Sequence, residues 1–216
     1  MSESNLSEPG FSLATLKRFV PQRKPVEQCD LCSAPVPPDH DHLVEPDTRK
    51  INCACQACAL LFSGQAGTRY KRVPRQSRFL TDFEMSDQQW DGLMLPIKMA
   101  FFFFSTPAGK MVALYPSPAG PTESLLTLDT WEEIVRANPI LEQMEPDVEA
   151  LLVNRVGPIR EHFLAPIDEC YKLVGLIRIH WRGLSGGTEV WREINSFFDQ
   201  LKQRALIPSP SGRGSG

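Results

Sequence analysis

Five of the six cysteines lie within thirty residues of one another, a density that indicates metal binding. Cys29 and Cys32 are separated by two residues, and Cys55 and Cys58 repeat this spacing about twenty residues later. Each pair can offer two thiolates to one ion, so that the two pairs complete a tetrahedron while the intervening chain folds back. The preferred ligands of a structural zinc ion are therefore Cys29, Cys32, Cys55 and Cys58.

Three further potential ligands, Cys53, His40 and His42, lie in the same segment. A closed zinc site takes only four ligands, so three of the seven are spare or build a second site. Cys53 could replace Cys55 as a ligand, or its thiol could contact the ligands without binding the ion. The two histidines would share one face of an extended chain, which suits metal binding or a hydrogen bond to a thiolate. An iron–sulfur cluster in place of zinc is a less favoured alternative that the number of cysteines permits.

The remainder of the chain offers no catalytic motif. His162 and His180 lack a partnered motif and are interpreted as structural or surface histidines. Cys170 follows Asp168 and Glu169, whose carboxylates would raise its pKa and make it a poor nucleophile. A four-cysteine zinc site would also leave no coordination position for a substrate. No catalytic residue is therefore assigned, and a non-enzymatic protein is favoured.

Composition indicates a soluble globular protein. The 216 residues are 42% hydrophobic and 23% charged, with a net charge of -3. The longest apolar run, from Met99 to Phe104, is far too short to span a bilayer, so no membrane insertion is expected. The first eight residues are polar and acidic, unlike a secretory signal. We expect a cytoplasmic location, where clustered cysteines hold metal more often than disulfides.

A basic segment follows the cysteines and carries no acidic residue; its members are Arg69, Lys71, Arg72, Arg75 and Arg78. A solvated basic loop is favoured over a nucleic-acid surface, because the isoelectric point of the whole chain is near 5.8. A nucleic-acid-binding zinc protein stays as an alternative. The stretch from Glu123 to Glu149 is mostly acidic, and the two segments could face each other or different partners.

Changes in composition divide the chain into five segments. We predict a flexible N-terminus with a short helix (1–25), a cysteine-rich metal module (26–63), a basic linker (64–78), an α+β domain (79–205) and a disordered tail (206–216). In the metal module, residues 55–62 are rich in helix formers and are followed by Ser63 and Gly64. A helix that starts at the second cysteine pair favours a treble-clef arrangement over two symmetric knuckles.

Apolar patterning predicts the elements of the α+β domain. Residues 97–105 and 110–116 read as a β-hairpin whose phenylalanines are buried on both faces. Further strands are predicted at 123–128 and 150–154, and helices at 131–137, 167–181 and 189–204. The predicted fold class is α+β. A small cysteine-rich zinc-binding module, treble-clef or ribbon-like, is followed by an antiparallel sheet covered by the two C-terminal helices.

Residues 53–62, 112–126 and 170–187 together resemble an uncharacterised bacterial family whose genes are found beside those of NiFe hydrogenases of the actinobacterial type. The similarity covers nearly all of the chain between about residue 25 and residue 204. This resemblance implies an accessory role in hydrogenase maturation, in metal or cluster delivery, or in assembly. It also implies a hydrogenase subunit or a maturation protein as the partner.

Overall fold

A computed structural model describes residues 26–64, 67–124, 128–183 and 185–206, apart from the side chains of residues 128 and 129. The predicted N-terminal segment 1–25 and nearly all of the predicted tail 206–216 lie outside the described residues. Within the described ranges, no helix combines the length and the apolar character needed to cross a membrane.

A small antiparallel sheet forms the first part of the molecule. Strands β1 (Asp41–Glu45) and β2 (Lys50–Ala54) make a hairpin, and β3 (Lys71–Arg72) pairs with the free edge of β1. Helix α1 (Gln56–Phe62) follows β2 directly. Strands β1 and β2 were not predicted from the sequence, and the segment expected as a basic linker supplies β3 to this sheet.

The second sheet is larger and entirely antiparallel, with the order β4-β9-β8-β5-β6-β7. Its strands are β4 (Arg78–Phe79), β5 (Met99–Ser105), β6 (Lys110–Ser117), β7 (Gly120–Ser124), β8 (Glu149–Asn154) and β9 (Glu161–Pro166). The helices are α2 (Asp87–Gly92), α3 (Leu128–Ala137), a 3-10 turn (Pro139–Gln143), α4 (Ile167–His180) and α5 (Gly187–Arg204). These elements confirm the α+β class, the antiparallel sheet and the C-terminal helices.

The phenylalanine run occupies the interior strand β5 and is buried on both faces, as its sequence predicts. Phe101 and Phe103 share a core cluster with residues of α4 and α5. Phe102 points to the opposite face, where its ring stacks on Trp131 at a centroid distance of 5.2 Å. The C-terminal helices therefore cover one face of the sheet, and α2, α3 and the 3-10 turn cover the other.

The small sheet lies between the cysteine pairs and the C-terminal helices. Successive side chains of β1 point to opposite faces. Leu43 belongs to a cluster with Cys29 and Cys58, whereas Val44 belongs to the core formed with α4 and α5. One face of the hairpin thus supports the cysteine pairs, and the other faces the main core.

One predicted strand boundary and one missing strand differ from the structure in an informative way. Strand β7 starts at Gly120 rather than at residue 123, because Gly120 pairs with Ser117 in a tight turn and has φ of +126°. Strand β9 was not predicted. It carries Glu161 and His162 at its start and runs directly into α4, so that its sequence lacks a turn signal.

Candidate metal centre

The structure brings together the sulfur atoms of the four cysteines that their spacing singles out. One ligand atom from each of Cys29, Cys32, Cys55 and Cys58 lies within 4.8 Å of the others. Cys32 Sγ and Cys55 Sγ are 3.7 Å apart. In a regular tetrahedron with Zn–S bonds of about 2.3 Å, neighbouring sulfur atoms are about 3.8 Å apart. The four-cysteine site therefore has the dimensions of a single tetrahedral ion.

A tight turn positions the first pair of ligands. The amide of Ser33 donates to Cys29 O at 2.8 Å, and the amide of Cys29 donates to Ala34 O at 2.8 Å. Ser33 has φ of 60°, the left-handed conformation that turns the chain back on itself. Both cysteines of the turn therefore point to one side.

Helix α1 positions the second pair. Cys55 is its N-cap residue and Cys58 lies in its first turn, which the amide of Ala59 closes by donating to Cys55 O at 2.9 Å. Two hydrogen bonds join the turn to β2: the amide of Asp30 donates to Cys53 O at 2.8 Å, and the amide of Cys53 donates to Asp30 Oδ2 at 2.6 Å. These contacts hold the turn that carries Cys29 and Cys32 against the end of the strand that leads to Cys55 and Cys58.

The thiols of Cys29 and Cys58 differ in how readily they ionise. Burial opposes ionisation of Cys29, but hydrogen bonds to the backbone of Cys55, Leu31 and Cys32 lower its pKa to about 6. Burial raises the pKa of Cys58 to about 12, and hydrogen bonds with the neighbouring thiols act in the same direction. A thiolate at Cys29 is therefore favoured and one at Cys58 is disfavoured, and a bound cation would stabilise both.

The three spare ligands form a group of their own. One ligand atom from each of His40, His42 and Cys53 lies within 4.8 Å of the others. His42 on β1 pairs directly with Cys53 on β2, and the rings of His40 and His42 meet edge to face at 4.8 Å. Cys53 thus faces the two histidines, while Cys55 belongs to the four-cysteine site.

Sequence reasoning missed one residue beside this second group. Asp168, in the first turn of α4, accepts a hydrogen bond from the ring of His42, with Nδ1 and Oδ2 2.6 Å apart. The aspartate is 126 positions from the histidine, and no local signal connects them. The carboxylate raises the pKa of His42, partly opposed by burial. The metal module is thereby tied to the main domain.

The other histidines and Cys170 belong to neither group. Burial lowers the pKa of His162 to about 4, with Arg155 and Arg160 acting in the same direction. His180 contacts Glu189 at the protein surface, with Nδ1 and Oε1 3.2 Å apart. Cys170 is fully buried in the main core, and burial raises the pKa of its thiol well above the ordinary value.

The basic segment is neutralised within the chain. Lys71 Nζ lies 2.7 Å from Asp147 Oδ2, and a guanidinium nitrogen of Arg72 lies 2.9 Å from Asp41 Oδ1. The remaining pairs are Arg69 with Glu45, Arg75 with Asp39 and Asp41, and Arg78 with Glu149. Asp147 and Glu149 come from the acidic stretch, so the two segments do face each other. Internal pairing of these cations weakens the attraction that the segment exerts on a phosphate backbone.

Fold and site together define an α+β protein with a cysteine-rich module that could bind metal. The chain belongs to DUF5947, a family of unknown function, whose model matches residues 28–205. No curated protein and no solved structure matches the chain.

Proposed function

We propose that this protein is a non-enzymatic accessory protein in which the four-cysteine site holds a structural zinc ion. The observation that carries the proposal is the convergence of four sulfur atoms at distances that suit one ion. Four protein ligands fill the coordination sphere of zinc, so the ion stabilises the fold rather than meeting a substrate. The metal module then serves as a rigid platform for a protein partner.

The surface of the module supports a docking role. Three consecutive apolar side chains of α1 are exposed: Leu60 by 62%, Leu61 by 68% and Phe62 by 43%. Helix α1 has only seven residues and contains Cys58, so the metal site fixes its orientation. Adjacent exposed apolar side chains of this kind are typical of a protein-binding surface.

The partner we propose is a subunit of a NiFe hydrogenase or a protein of its maturation. The support for this step is the resemblance to a family encoded beside hydrogenase genes, carried by residues 53–62, 112–126 and 170–187. The role would be maturation or assembly of the hydrogenase through protein contacts.

Two alternatives have less support. A nucleic-acid-binding role requires free cations, whereas the basic segment is paired with acidic residues. An iron–sulfur cluster places several iron and sulfide atoms between its cysteines, whereas sulfur atoms 3.7 Å apart leave room for one ion. Steeply salt-dependent nucleic-acid binding would support the former. Visible absorbance after anaerobic purification would support the latter.

The test is co-purification from a host that expresses the hydrogenase. The tagged wild-type protein should retain zinc and bring down a hydrogenase subunit or maturation protein. Leu61→Glu should lose the partner while keeping its zinc. Ile179→Glu is the matched control, because Ile179 is also apolar and 64% exposed but lies on α4, and it should keep the partner. A wild-type protein that forms no hydrogenase complex in such a host contradicts the proposal.

A further inference from the structure

The β1–β2 hairpin and the residue before it bring together three side chains that could bind metal and that do not belong to the four-cysteine site. Cys53 lies directly opposite His42 in the β1–β2 ladder, so their side chains project from the same face. His40 precedes His42 by two residues, and its ligand atom lies within 4.8 Å of those of His42 and Cys53. This group, called here the His-His-Cys site, faces α4, whereas Leu43 and Ala54 pack with Cys29 and Cys58 on the other face.

Hydrogen bonds to the rings of His40 and His42 determine which nitrogen of each imidazole is free to bind a metal ion. The Nδ1 atom of His40 is 2.8 Å from the carbonyl oxygen of Pro37. A carbonyl oxygen only accepts, so Nδ1 carries the proton and the lone pair of a neutral ring lies on Nε2. The Nδ1 atom of His42 is likewise engaged, by Asp168 Oδ2 at 2.6 Å. Histidines that bind metals typically make this kind of bond through their other nitrogen.

The available nitrogen of His40 lacks a partner. The His40 side chain is only 5% exposed, and Nε2 is buried without a hydrogen-bond partner among the described residues. A buried polar atom left unpaired is costly to the folded state, so such atoms usually have a hydrogen-bond partner or a ligand. An ion bound between Nε2, the second imidazole and the thiolate of Cys53 would satisfy it.

We propose that His40, His42 and Cys53 form a second metal site, which takes a divalent transition-metal ion of the zinc, cobalt or nickel type. Two imidazoles and one thiolate are donors of borderline softness, which select such ions over calcium or magnesium. Three protein ligands leave a fourth position open to water or to a donor from another molecule. Glu27 adds negative charge beside the site, with its carboxylate 3.6 Å from His40 Nδ1. This open site goes beyond the structural role proposed for the four cysteines.

Asp168 is a positioning residue of this site. It contacts the ring of His42, and its other oxygen accepts the amide of Glu169 at 2.9 Å. The carboxylate therefore fixes the imidazole from a rigid helix start. Loss of such a partner lowers metal affinity by roughly 10- to 100-fold.

Metal counting on the full chain tests the proposal. The reduced protein is depleted of metal, reloaded anaerobically with excess Zn²⁺ or Co²⁺, and measured by native mass spectrometry. We expect two ions per chain in the wild type, and one ion in His40→Ala and in Cys53→Ser. His180→Ala is the matched control and should keep two ions. Asp168→Asn should keep the tight ion and bind the other at least tenfold more weakly.

The ion that remains identifies the lost site. X-ray absorption of zinc-loaded His40→Ala should report sulfur neighbours alone, since only the four-cysteine site is filled. A wild-type protein that takes one ion with four sulfur neighbours overturns the second site and leaves the proposed structural zinc intact. Two tightly bound ions in His40→Ala also overturn it, because the lost imidazole would then not be a ligand.

Discussion

Acidification from about pH 7 to about pH 4 should destabilise the fold through one buried side chain, His162. Its ring stacks on Phe83 at a centroid distance of 4.5 Å, and its Nε2 atom is buried without a hydrogen-bond partner among the described residues. Only 4% of the residue is exposed. Burial first, and the positive charges of Arg155 and Arg160 second, lower its pKa to about 4.

The size and sign of the effect follow from linkage between protonation and folding. In the unfolded chain a histidine takes up a proton with a pKa near 6.5, whereas the folded protein protonates His162 only near pH 4. Protons therefore bind the unfolded state preferentially between these values. The stability contributed by neutral His162 is complete above pH 6.5 and falls as the pH approaches 4. One pH unit corresponds to 1.36 kcal/mol, so the total loss is about 3 kcal/mol.

Urea denaturation at half-unit steps from pH 7.5 to 4 measures this loss. His162→Phe keeps an aromatic ring beside Phe83 and never ionises at this position. At each pH, its free energy of unfolding is subtracted from that of the wild type. The difference should change by about 3 kcal/mol across the interval. His180→Gln is the control and should follow the wild type, because it retains His162. Parallel curves for the wild type and His162→Phe would refute the reasoning, whatever the absolute stability of the variant.

Three shorter predictions concern packing and buried polar groups. Phe102→Ala should cost about 3–5 kcal/mol in urea denaturation, because the ring is fully buried against Trp131; exposed Phe62→Ala should cost less than about 0.5 kcal/mol. Asp147 has φ of 70° and accepts hydrogen bonds from the amide of Thr106 at 2.8 Å and from the hydroxyl of Thr106 at 2.7 Å. Asp147→Ala should lower the free energy of unfolding by about 3 kcal/mol and Asp147→Asn by less, because asparagine tolerates this backbone conformation and can still accept a hydrogen bond. Equal losses in the two variants would contradict this account. After chelation, exposed Cys32 should react fast with Ellman's reagent, whereas buried Cys170 should react only after denaturation. A Cys170 thiol that reacts as fast as Cys32 in the folded protein would show that it is accessible.

The sequence predicted those strands and helices whose own residues carry the pattern that identifies them. The hairpin of β5 and β6 follows from two apolar runs joined by a short loop, and the long helix α4 from its apolar stripe after Pro166. Repeated two-residue gaps predicted which cysteine sulfurs would meet. In each case the pairing partner is close in sequence or the spacing repeats.

The elements that escaped prediction depend on distant residues. Strand β1 contains Asp41 and Glu45, whose buried carboxylates look unsuited to a strand until Arg72 and Arg69 pair with them. The sequence placed His40 and His42 on one face, but only the strand register sets Cys53 beside them. Asp168 approaches from the other end of the chain, so its role follows from tertiary structure alone.

The run from Phe101 to Phe104 has a consequence for how the protein is made. On an open strand, four successive aromatic residues invite intermolecular pairing and aggregation. One edge of β5 is closed early by β6 through a short loop, but the other is closed by β8, which begins only at Glu149. A nascent chain on the ribosome therefore exposes an unpaired, aggregation-prone edge of β5 until β8 has been synthesised. We expect slower translation or lower temperature to improve soluble yield more than any mutation that stabilises the finished fold.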